Sequence, residues 1–380
     1  MSISKRVEEI TPFIVMDVLD RAKELERQGK NIIHLEVGEP DFDTPRVATE
    51  AGISAIRRGE THYTHSQGLI ELREAVAEDY HSKYGVSVDP ARVIITSGTS
   101  PAMLLIFGAM LETGEEVILP NPYYSCYPNF VKFVGGVPVC VNVYEDDGFT
   151  YRPQEIKKKL SQATKAIMLN SPSNPTGCII GIKEMEDVAA MGRLIISDEI
   201  YHGLVYEGKE HSILEVTDNA FVVNGFSKLY AMTGWRLGYV IAPERFLRPM
   251  QKLQQNLFIS ASAFAQWAGI AALREAGDDV KKMVDTLNIR RKFMISKLRE
   301  LGFGITVEPT GAFYVFANAK KFTSDSYRFA FDILDKAGVA VTPGIDFGSN
   351  GEGYIRFSYS NSIENIGEGM ERIKKYLSEI

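Results

Sequence analysis

The residues with the clearest chemical potential lie at positions 224–238, a stretch that contains Ser227, Lys228 and Arg236. Lys228 follows the apolar run 221–223, a predicted strand, and its neighbours are mostly small or apolar. Burial there would lower the pKa of the amine and make it the nucleophile that Schiff-base chemistry requires. Ser227 and Arg236 add a hydroxyl and a planar guanidinium that suit a phosphate group. A surface lysine and a paired arginine are the alternatives that these residues alone leave open.

Two further polar positions follow predicted strands. Asn174 lies in the turn Asn-Ser-Pro-Ser-Asn-Pro-Thr-Gly after the apolar run 166–169, and Asp198 and Tyr201 follow the run 194–197. Open α/β sheets bind ligands at the carboxyl ends of their strands, so these side chains are candidates for ligand contact. A proline turn without another role and a helix N-cap are the corresponding structural alternatives.

A weaker signal is the sequence Ser-Gly-Thr-Ser at 97–100, between a predicted strand and a predicted helix. Free backbone N–H groups at a helix start favour an anion, although this turn has neither the Walker lysine nor the dinucleotide-binding glycine pattern. Tyr123 and Tyr124 could stack against a ring or simply belong to the core. His62 and His65 lack companion ligands, so no metal site is predicted.

The elements that must position these residues alternate along the first part of the chain. Short β-branched or apolar runs recur every 20–30 residues or so, and helical patterns lie between them. One such helix has an apolar stripe at Leu69, Leu72, Val76 and Tyr80 and is expected to end at Gly85. This alternation predicts a mostly parallel sheet covered on both faces. The predicted strands occupy 93–96, 117–119, 137–143, 166–169, 194–197 and 221–223.

After about residue 245 the pattern changes to a long helical stretch that reaches roughly 301. Strands at 312–316 and 354–358 and a closing helix at 363–376 follow. This irregular order predicts a smaller α+β domain, which the N-terminal helix at 16–28 is expected to join. The domain boundaries are therefore placed at 45–283 for the large domain and at 1–44 together with 284–380 for the small one.

Composition narrows the class of protein. Of the 380 residues, 45% are hydrophobic and 24% are charged, which is typical of a folded globular protein and excludes extensive disorder. The net charge of −7 argues against nucleic-acid binding. Three cysteines predict no disulfide framework and favour a reducing compartment. The longest apolar run has about half the 20 or so residues of a membrane span, and the charged N-terminus is unlike a signal peptide. A cytoplasmic protein without membrane contact is expected.

Together these motifs make the sequence similar to the pyridoxal-phosphate-dependent aminotransferases of fold type I, class I, the aspartate aminotransferase-like group. The resemblance runs from Leu-Glu-Val-Gly-Glu-Pro at 35–40 to Ile-Arg-Phe at 355–357. It is carried by Ser-Pro-Ser-Asn-Pro-Thr-Gly, Asp-Glu-Ile-Tyr and Ser-Lys-x5-Thr-Gly-x-Arg-x-Gly, in this order and spacing. The resemblance implies a large domain with a mostly parallel seven-stranded sheet, a smaller α+β domain, and a homodimer with shared active sites.

The same resemblance implies roles for individual residues. Lys228 would form the Schiff base and move protons, and Asp198 would pair with the pyridine nitrogen of the cofactor. Asn174 and Tyr201 would contact the phenolic oxygen of the ring, and Tyr124 would stack on it. The other implied positions are Gly98, Thr99, Ser227 and Arg236 for the phosphate, Tyr63 for the phosphate of the partner subunit, and Gly38 and Arg356 for the substrate carboxylate.

The implied reaction moves the amino group of an L-amino acid to a 2-oxo acid, with 2-oxoglutarate as the expected acceptor. A C–S lyase or decarboxylase on the same scaffold is one rival, since the cofactor residues would be shared. A regulator that binds the cofactor without turnover is another, disfavoured because no basic segment precedes the region of resemblance. The bacterial aspartate branch has a lysine where this sequence has Ser100, which leaves alanine, aromatic or broad donor use open.

Overall fold

The structure is a computed structural model that describes residues 3–379. Its α-helices, numbered in chain order, are α1 (Lys5–Glu8), α2 (Ile14–Arg27), α3 (Arg46–Arg57), α4 (Ile70–Tyr84), α5 (Thr99–Met110), α6 (Tyr127–Phe133), α7 (Pro153–Lys159), α8 (Ile182–Ala189), α9 (Glu244–Leu257), α10 (Ala263–Glu275), α11 (Gly277–Leu301), α12 (Ser326–Asp332) and α13 (Ile363–Leu377). Its strands are β1 (Ile33–His34), β2 (Val93–Thr96), β3 (Glu116–Asn121), β4 (Val137–Asn142), β5 (Thr164–Asn170), β6 (Leu194–Asp198), β7 (Ala220–Gly225), β8 (Gly238–Ile241), β9 (Tyr314–Asn318), β10 (Val339–Ala340), β11 (Thr342–Pro343) and β12 (Tyr354–Ser358).

Seven strands form the main sheet in the order β2-β8-β7-β6-β5-β3-β4. Every neighbouring pair is parallel except those of β8, which runs antiparallel to β2 and β7. The predicted mostly parallel sheet of seven strands is therefore confirmed, and all six strands predicted from apolar runs belong to it. The sequence pattern missed β8 because its four residues follow β7 through a loop and not through a helix.

The main sheet has a hydrophobic core on each face. Ile94 and Ile95 are adjacent and both fully buried, and they pack into different core clusters because successive side chains of a strand point to opposite faces. Ile94 packs with residues of α5, and Ile95 packs with residues of α4 and α10. Helix α4 ends where predicted, at Gly85, whose φ of 71° closes the helix in a left-handed turn. Helices thus cover both faces of the sheet.

A second group of elements lies around a three-stranded antiparallel sheet of β11, β12 and β9. The N-terminal segment joins this group through a parallel pairing of β1 with β10. Strand β9 begins two residues later than predicted because Ala312 adopts a left-handed conformation with φ of 56°. The predicted long helical stretch consists of three separate helices, α9, α10 and α11. Within residues 3–379, no helix is both long and apolar enough to span a membrane.

Candidate active site

A cleft of about 280 Å³ opens where the carboxyl ends of β5, β6 and β7 face β9 and β12. It collects side chains from both ends of the chain and from the middle, which no single motif could show. Ten of the twelve site residues predicted from sequence line it, and Gly98 lies next to it, whereas Tyr63 does not. The lining includes Phe13, Val15, Met16, Val37, Gly38, Glu39, Thr99, Ser100, Tyr124, Asn174, Asp198, Tyr201, Ser227, Lys228, Arg236, Tyr314 and Arg356.

Lys228 is held in the cleft three residues after the end of β7. Its Nζ donates a hydrogen bond of 2.5 Å to the carbonyl oxygen of Gly38. Burial lowers the pKa of Lys228 to about 8, and the positive charges of Arg356 and Arg236 act in the same direction. The lowered pKa leaves about a tenth of this amine unprotonated at pH 7, far more than for an ordinary lysine, and the unprotonated amine is the state that a nucleophilic or proton-accepting lysine needs.

Asp198 ends β6 and is 5% exposed. Its Oδ2 accepts a hydrogen bond of 2.6 Å from the Tyr127 hydroxyl, and its Oδ1 accepts one of 3.2 Å from the Ile200 backbone N–H. Burial raises the pKa of Asp198 to about 6, although both hydrogen bonds and the charge of Lys228 oppose the rise. A buried carboxylate of this kind is well suited to hold a cationic ring nitrogen.

Arg356 lies in the middle of β12 and is 3% exposed. It donates to Asn174 Oδ1 at 2.9 Å, to the Glu36 carbonyl at 2.5 Å and to Thr342 Oγ1 at 3.2 Å. These three hydrogen-bond partners are all uncharged. Among the described residues, the buried Nε atom of Arg356 has no hydrogen-bond partner. The guanidinium also lies over the Tyr314 ring at 4.3 Å. A buried guanidinium without a carboxylate partner points to a ligand that supplies one.

Contacts among Tyr201, Tyr314 and Gly38 connect the main sheet, the smaller sheet and the N-terminal segment at the cleft. The hydroxyls of Tyr201 and Tyr314 are 2.8 Å apart and share a hydrogen bond. Burial raises the pKa of Tyr201, so its hydroxyl stays protonated at neutral pH and can donate. A Cβ at position 38 would overlap with the Tyr314 hydroxyl, so the absence of a side chain at Gly38 makes this arrangement possible.

An anion-binding corner forms at the start of α5. Gly98 precedes this helix with φ of 102°, and a Cβ there would lie 2.6 Å from Arg236 Nη2. Glycine therefore admits the guanidinium beside the free N–H groups of the helix start, where the helix dipole also favours an anion. Ser227 and Thr99 line the same cleft. This corner suits a phosphate monoester.

Tyr63 is 81% exposed and lies outside the cleft. Its neighbours Thr64 and Ser66 hold this surface segment in place. Thr64 accepts a hydrogen bond of 3.1 Å from Gln266, and Ser66 accepts one of 3.3 Å from Gln255 near the end of α9. Within one chain, Tyr63 therefore has no access to the phosphate corner, and the role implied for it requires a second subunit.

Several lining residues were not predicted from the sequence. Tyr127, which binds Asp198, lies three residues after Tyr124 and contacts its ring edge to face at 5.3 Å. The paired tyrosines at 123 and 124 were the only signal for this aromatic cluster. Tyr314 was noted only as part of a strand. Phe13, Val15 and Met16 gave no chemical signal, because apolar side chains are not distinctive in a sequence.

The geometry fits a ligand with an aldehyde or amine near Lys228, a cationic ring nitrogen near Asp198 and a phosphate beside Arg236. It also fits a second, carboxylate-bearing ligand at Arg356. Among residues 3–379, no group of three or more metal-ligating side chains was found. The cleft thus resembles a site for a phosphorylated heterocycle and an amino acid.

Comparisons with known proteins agree with this geometry. The family model described as aminotransferase class I and II matches residues 30–373. The (5-formylfuran-3-yl)methyl phosphate transaminase of Methanocaldococcus jannaschii is 44% identical over 99% of this chain and 100% of that protein. The aspartate aminotransferase of Pyrococcus horikoshii is 40% identical over 99% and 97% of the two chains. The structure of Thermus thermophilus aspartate aminotransferase with maleate superposes with a TM-score of 0.95 at 37% identity, covering 99% of each chain.

Proposed function

The chain belongs to the class I and II aminotransferases, and from this membership we propose which residues carry the reaction and which substrates it uses. The protein is an aminotransferase, with amino acids as small-molecule substrates and pyridoxal phosphate as cofactor. Family membership therefore favours amino-group transfer over the alternatives of a C–S lyase or decarboxylase and of a regulator without turnover. The observation that carries the assignment of roles is the buried Lys228 amine, with its pKa lowered to about 8, in a cleft shared with Asp198 and Arg356.

The residues of the cleft fit pyridoxal phosphate. Lys228 would provide the amine that reacts with the aldehyde of the cofactor, and Asp198 would provide the anion that pairs with its ring nitrogen. Arg236 and the start of α5 would bind its phosphate. Tyr124 would stack on the ring, and Asn174 and Tyr201 would contact the phenolic oxygen. When bound, the cofactor supplies an aldehyde that joins covalently to amines and a ring that withdraws electrons from the substrate Cα.

Each protein group then has a defined task. Arg356 binds the substrate carboxylate with a guanidinium that is already positioned by Asn174 and Glu36, so little reorganisation is needed on binding. In its neutral form, Lys228 Nζ would accept the proton of the substrate Cα and would then donate it to the carbon of the cofactor's former aldehyde. Asp198 remains ionised because Tyr127 and a backbone N–H donate to it, and so it stabilises positive charge on the ring nitrogen.

The substrate side chain faces a largely apolar wall. Phe13, Val15, Met16 and Val37 line this side, and the Phe13 ring meets Tyr124 edge to face at 5.9 Å. Among the described residues, the cationic side chains in the lining are Lys228, Arg236 and Arg356, each with a task already assigned. We therefore propose an apolar or aromatic amino donor, with 2-oxoglutarate as the acceptor whose second carboxylate the partner subunit would neutralise.

A second candidate acceptor is a phosphorylated aromatic aldehyde of the kind named for the Methanocaldococcus relative. The aromatic groups Phe13, Tyr124 and Tyr314 favour it because they suit a flat ring, and a guanidinium such as Arg356 binds phosphate as well as carboxylate.

Half-reactions with single donors, followed by the absorbance of the bound cofactor, test the donor. Acceptors are then added to the aminated enzyme one at a time. Rapid recovery with 2-oxoglutarate supports the first candidate, and recovery only with the aldehyde phosphate supports the second. If no amino acid changes the cofactor spectrum, the proposed function is wrong.

We further propose a homodimer in which Tyr63 completes the phosphate site of the partner subunit. The end of α9, which is hydrogen-bonded to the Tyr63 segment through Gln255 and Ser66, carries exposed apolar side chains: Leu257, its last residue, is 54% exposed, and Ile259, two residues later, is 46% exposed. Ile259 also adopts a left-handed backbone with φ of 67°, an unusual conformation for a β-branched residue that tends to mark functional surfaces. Sedimentation should give a dimer, and Leu257→Asp should give monomers. Tyr63→Phe should weaken cofactor binding while the dimer persists.

The division into a large domain at 45–283 and a small domain at 1–44 and 284–380 also stays a proposal. The pairing of β1 with β10 supports the assignment of the N-terminal segment to the small domain, and α11 crosses the proposed boundary at residue 283.

A cytoplasmic location is also a proposal. It is supported by Cys126, Cys140 and Cys178, which are all free thiols, as is typical of a reducing compartment.

A further inference from the structure

The first turn of α2 carries the apolar wall of the cleft, yet this helix has no cap of its own. Its N-cap residue is Phe13, whose side chain cannot accept a hydrogen bond from the helix N–H groups. A carboxylate from the far end of the chain takes that place. Asp346 Oδ1 accepts from the Ile14 N–H at 3.0 Å, and Asp346 Oδ2 accepts from the Val15 N–H at 3.3 Å.

Asp346 is itself fixed by its surroundings. It is 7% exposed and lies in the short 3₁₀ turn Gly344–Phe347. The Ile345 N–H donates to Ser326 Oγ at 3.1 Å on one side, and the Phe347 carbonyl accepts from the Tyr123 N–H at 3.0 Å on the other. A Cβ at Gly344 would overlap with backbone carbonyl oxygens, so the turn is closely packed. The carboxylate therefore has little freedom to move.

The same turn contacts the carboxylate clamp. The Phe347 ring lies 4.9 Å from the guanidinium of Arg356. The segment before Phe13 is anchored separately to α6, where Asn129 exchanges hydrogen bonds with the backbone and hydroxyl of Thr11. The hydrogen bonds to Asp346 thus join the wall-bearing first turn of α2 to the clamp side of the cleft, in addition to the apolar packing of α2 against Leu334 and Ala340.

We propose that Asp346 is a positioning residue that holds Phe13, Val15 and Met16 against the substrate and so sets the preference among substrate side chains. It acts through the helix N–H groups and makes no contact with the reacting atoms. The proposal rests on the assignment of this cleft as the substrate site.

The primary test is hydrogen exchange at the Ile14 and Val15 amides, measured in the holoenzyme without substrate. In Asp346→Ala both amides should exchange at least about tenfold faster, the scale expected when a helix cap is lost. Asp346→Asn keeps one carbonyl acceptor and should give a smaller change in the same direction. Asp89→Asn is the matched control, because Asp89 caps the short 3₁₀ turn Pro90–Arg92 through the Ala91 N–H at 2.8 Å but does not line the cleft. Unchanged exchange in Asp346→Ala would overturn the proposal.

The second test is the ratio of kcat/KM for phenylalanine to that for alanine. In Asp346→Ala this ratio should change about tenfold, with cofactor affinity unaltered, whereas Asp89→Asn should leave the ratio unchanged. In a Phe13→Ala, Met16→Ala background, Asp346→Ala should no longer change the ratio, because the wall has been removed. Equal losses for both substrates would mean a merely structural role and would overturn the proposal. If the parent enzyme turns over neither amino acid, the proposed function fails, and the exchange experiment still decides the role of Asp346.

Discussion

The Tyr127 hydroxyl donates a hydrogen bond of 2.6 Å to Asp198 Oδ2, and both side chains are almost completely buried. A donor in this position favours the ionised carboxylate and opposes the effect of burial on its pKa. Asp198 nonetheless has a pKa raised to about 6, so its charge is costly in the absence of a cationic partner. This balance suits Asp198 to the role proposed for it beside a cationic ring nitrogen, and it makes the charge unfavourable for the stability of the cofactor-free protein.

Asp198→Asn should fold and lose most of its activity. An amide has no charge to stabilise a cationic ring nitrogen, and removal of such a preorganised electrostatic contact lowers kcat by about 10²–10³-fold. Steady-state kinetics and the absorbance spectrum of the bound cofactor measure the effect. Asp218→Asn is the control, since Asp218 is a surface carboxylate paired with Arg92. Turnover and spectrum equal to those of the parent would refute the role of Asp198.

The same substitution should stabilise the cofactor-free protein at pH 7. The pKa of Asp198 rises from 3.8 to about 6 on folding, so the folded state binds this proton more tightly than the unfolded chain. The contribution of Asp198 to the free energy of unfolding is therefore lost as the pH rises from about 3.8 to about 6. Above pH 6 the total loss amounts to about 3 kcal/mol. Urea denaturation of parent and mutant at pH 4 and pH 7 should show a difference that grows with pH. A mutant less stable than the parent at both pH values would contradict this account.

Lys228→Ala should abolish steady-state transamination while the protein still folds and holds the cofactor non-covalently. Loss of a general acid–base group alone typically costs about 10²–10⁴-fold in rate, and loss of the covalent link adds to this. Borohydride reduction followed by peptide mapping identifies the modified lysine in the parent. Modification of a lysine other than Lys228, or normal turnover by the mutant, would show the assignment to be wrong.

The depressed pKa of Lys228 has its own signature in the cofactor-free protein. Because the folded pKa of about 8 lies below the ordinary value of 10.5, the unfolded chain binds this proton more tightly. Stability should thus increase between about pH 8 and pH 10.5, and Lys228→Met should flatten this increase. Lys282→Met, a substitution on the solvent side of α11, serves as the control. Parallel stability curves for the parent and Lys228→Met would exclude a depressed pKa.

Arg356→Lys should raise KM for both the amino acid and the oxo acid much more than it weakens cofactor binding. A guanidinium holds a carboxylate through two parallel hydrogen bonds, whereas an ammonium offers a point charge, so an increase in KM of about tenfold or more is expected. Kinetics with varied amino acid and separate titration with pyridoxal phosphate distinguish the two affinities. An unchanged KM together with a lower melting temperature would assign Arg356 a structural role through its hydrogen bonds to Asn174, Glu36 and Thr342 instead.

The parts of the fold that could be predicted are those with a repeating pattern. Most of the six predicted strands, such as β2 and β5, have continuous apolar runs because both of their faces are buried, and such runs are visible in a sequence. The edge strand β4 is only partly buried but is still rich in valine. Strand β8 was missed because no α-helix separates it from β7, so it does not follow the alternation of strands and helices. The start of α2 could not be placed because its cap, Asp346, lies about 330 positions further along the chain.

The same contrast applies to the active site. Polar residues directly after strands, such as Asp198 and Asn174, could be found because the carboxyl ends of parallel strands lie at one edge of the sheet. Arg356 could not be located by that rule, since it lies within a strand of another sheet, and its role came only from the family resemblance. Tyr127 and Tyr314 act through hydroxyls that three-dimensional packing brings to Asp198 and Tyr201. Sequence spacing carries no record of such packing.

The hydrogen bond from Arg356 to the Glu36 carbonyl spans 320 positions and has a consequence for biosynthesis. The ribosome makes the N-terminal segment first. Strand β1 cannot pair with β10, and the Glu36 carbonyl cannot accept a hydrogen bond from Arg356, until β10 and β12 have been synthesised. Lys228 and Asp198 are by then already synthesised, but no carboxylate can be held beside them. A transcript that ends before codon 356 therefore yields a chain that contains Lys228 and Asp198 but lacks the guanidinium proposed to bind the substrate carboxylate. Full activity arises only at the end of translation.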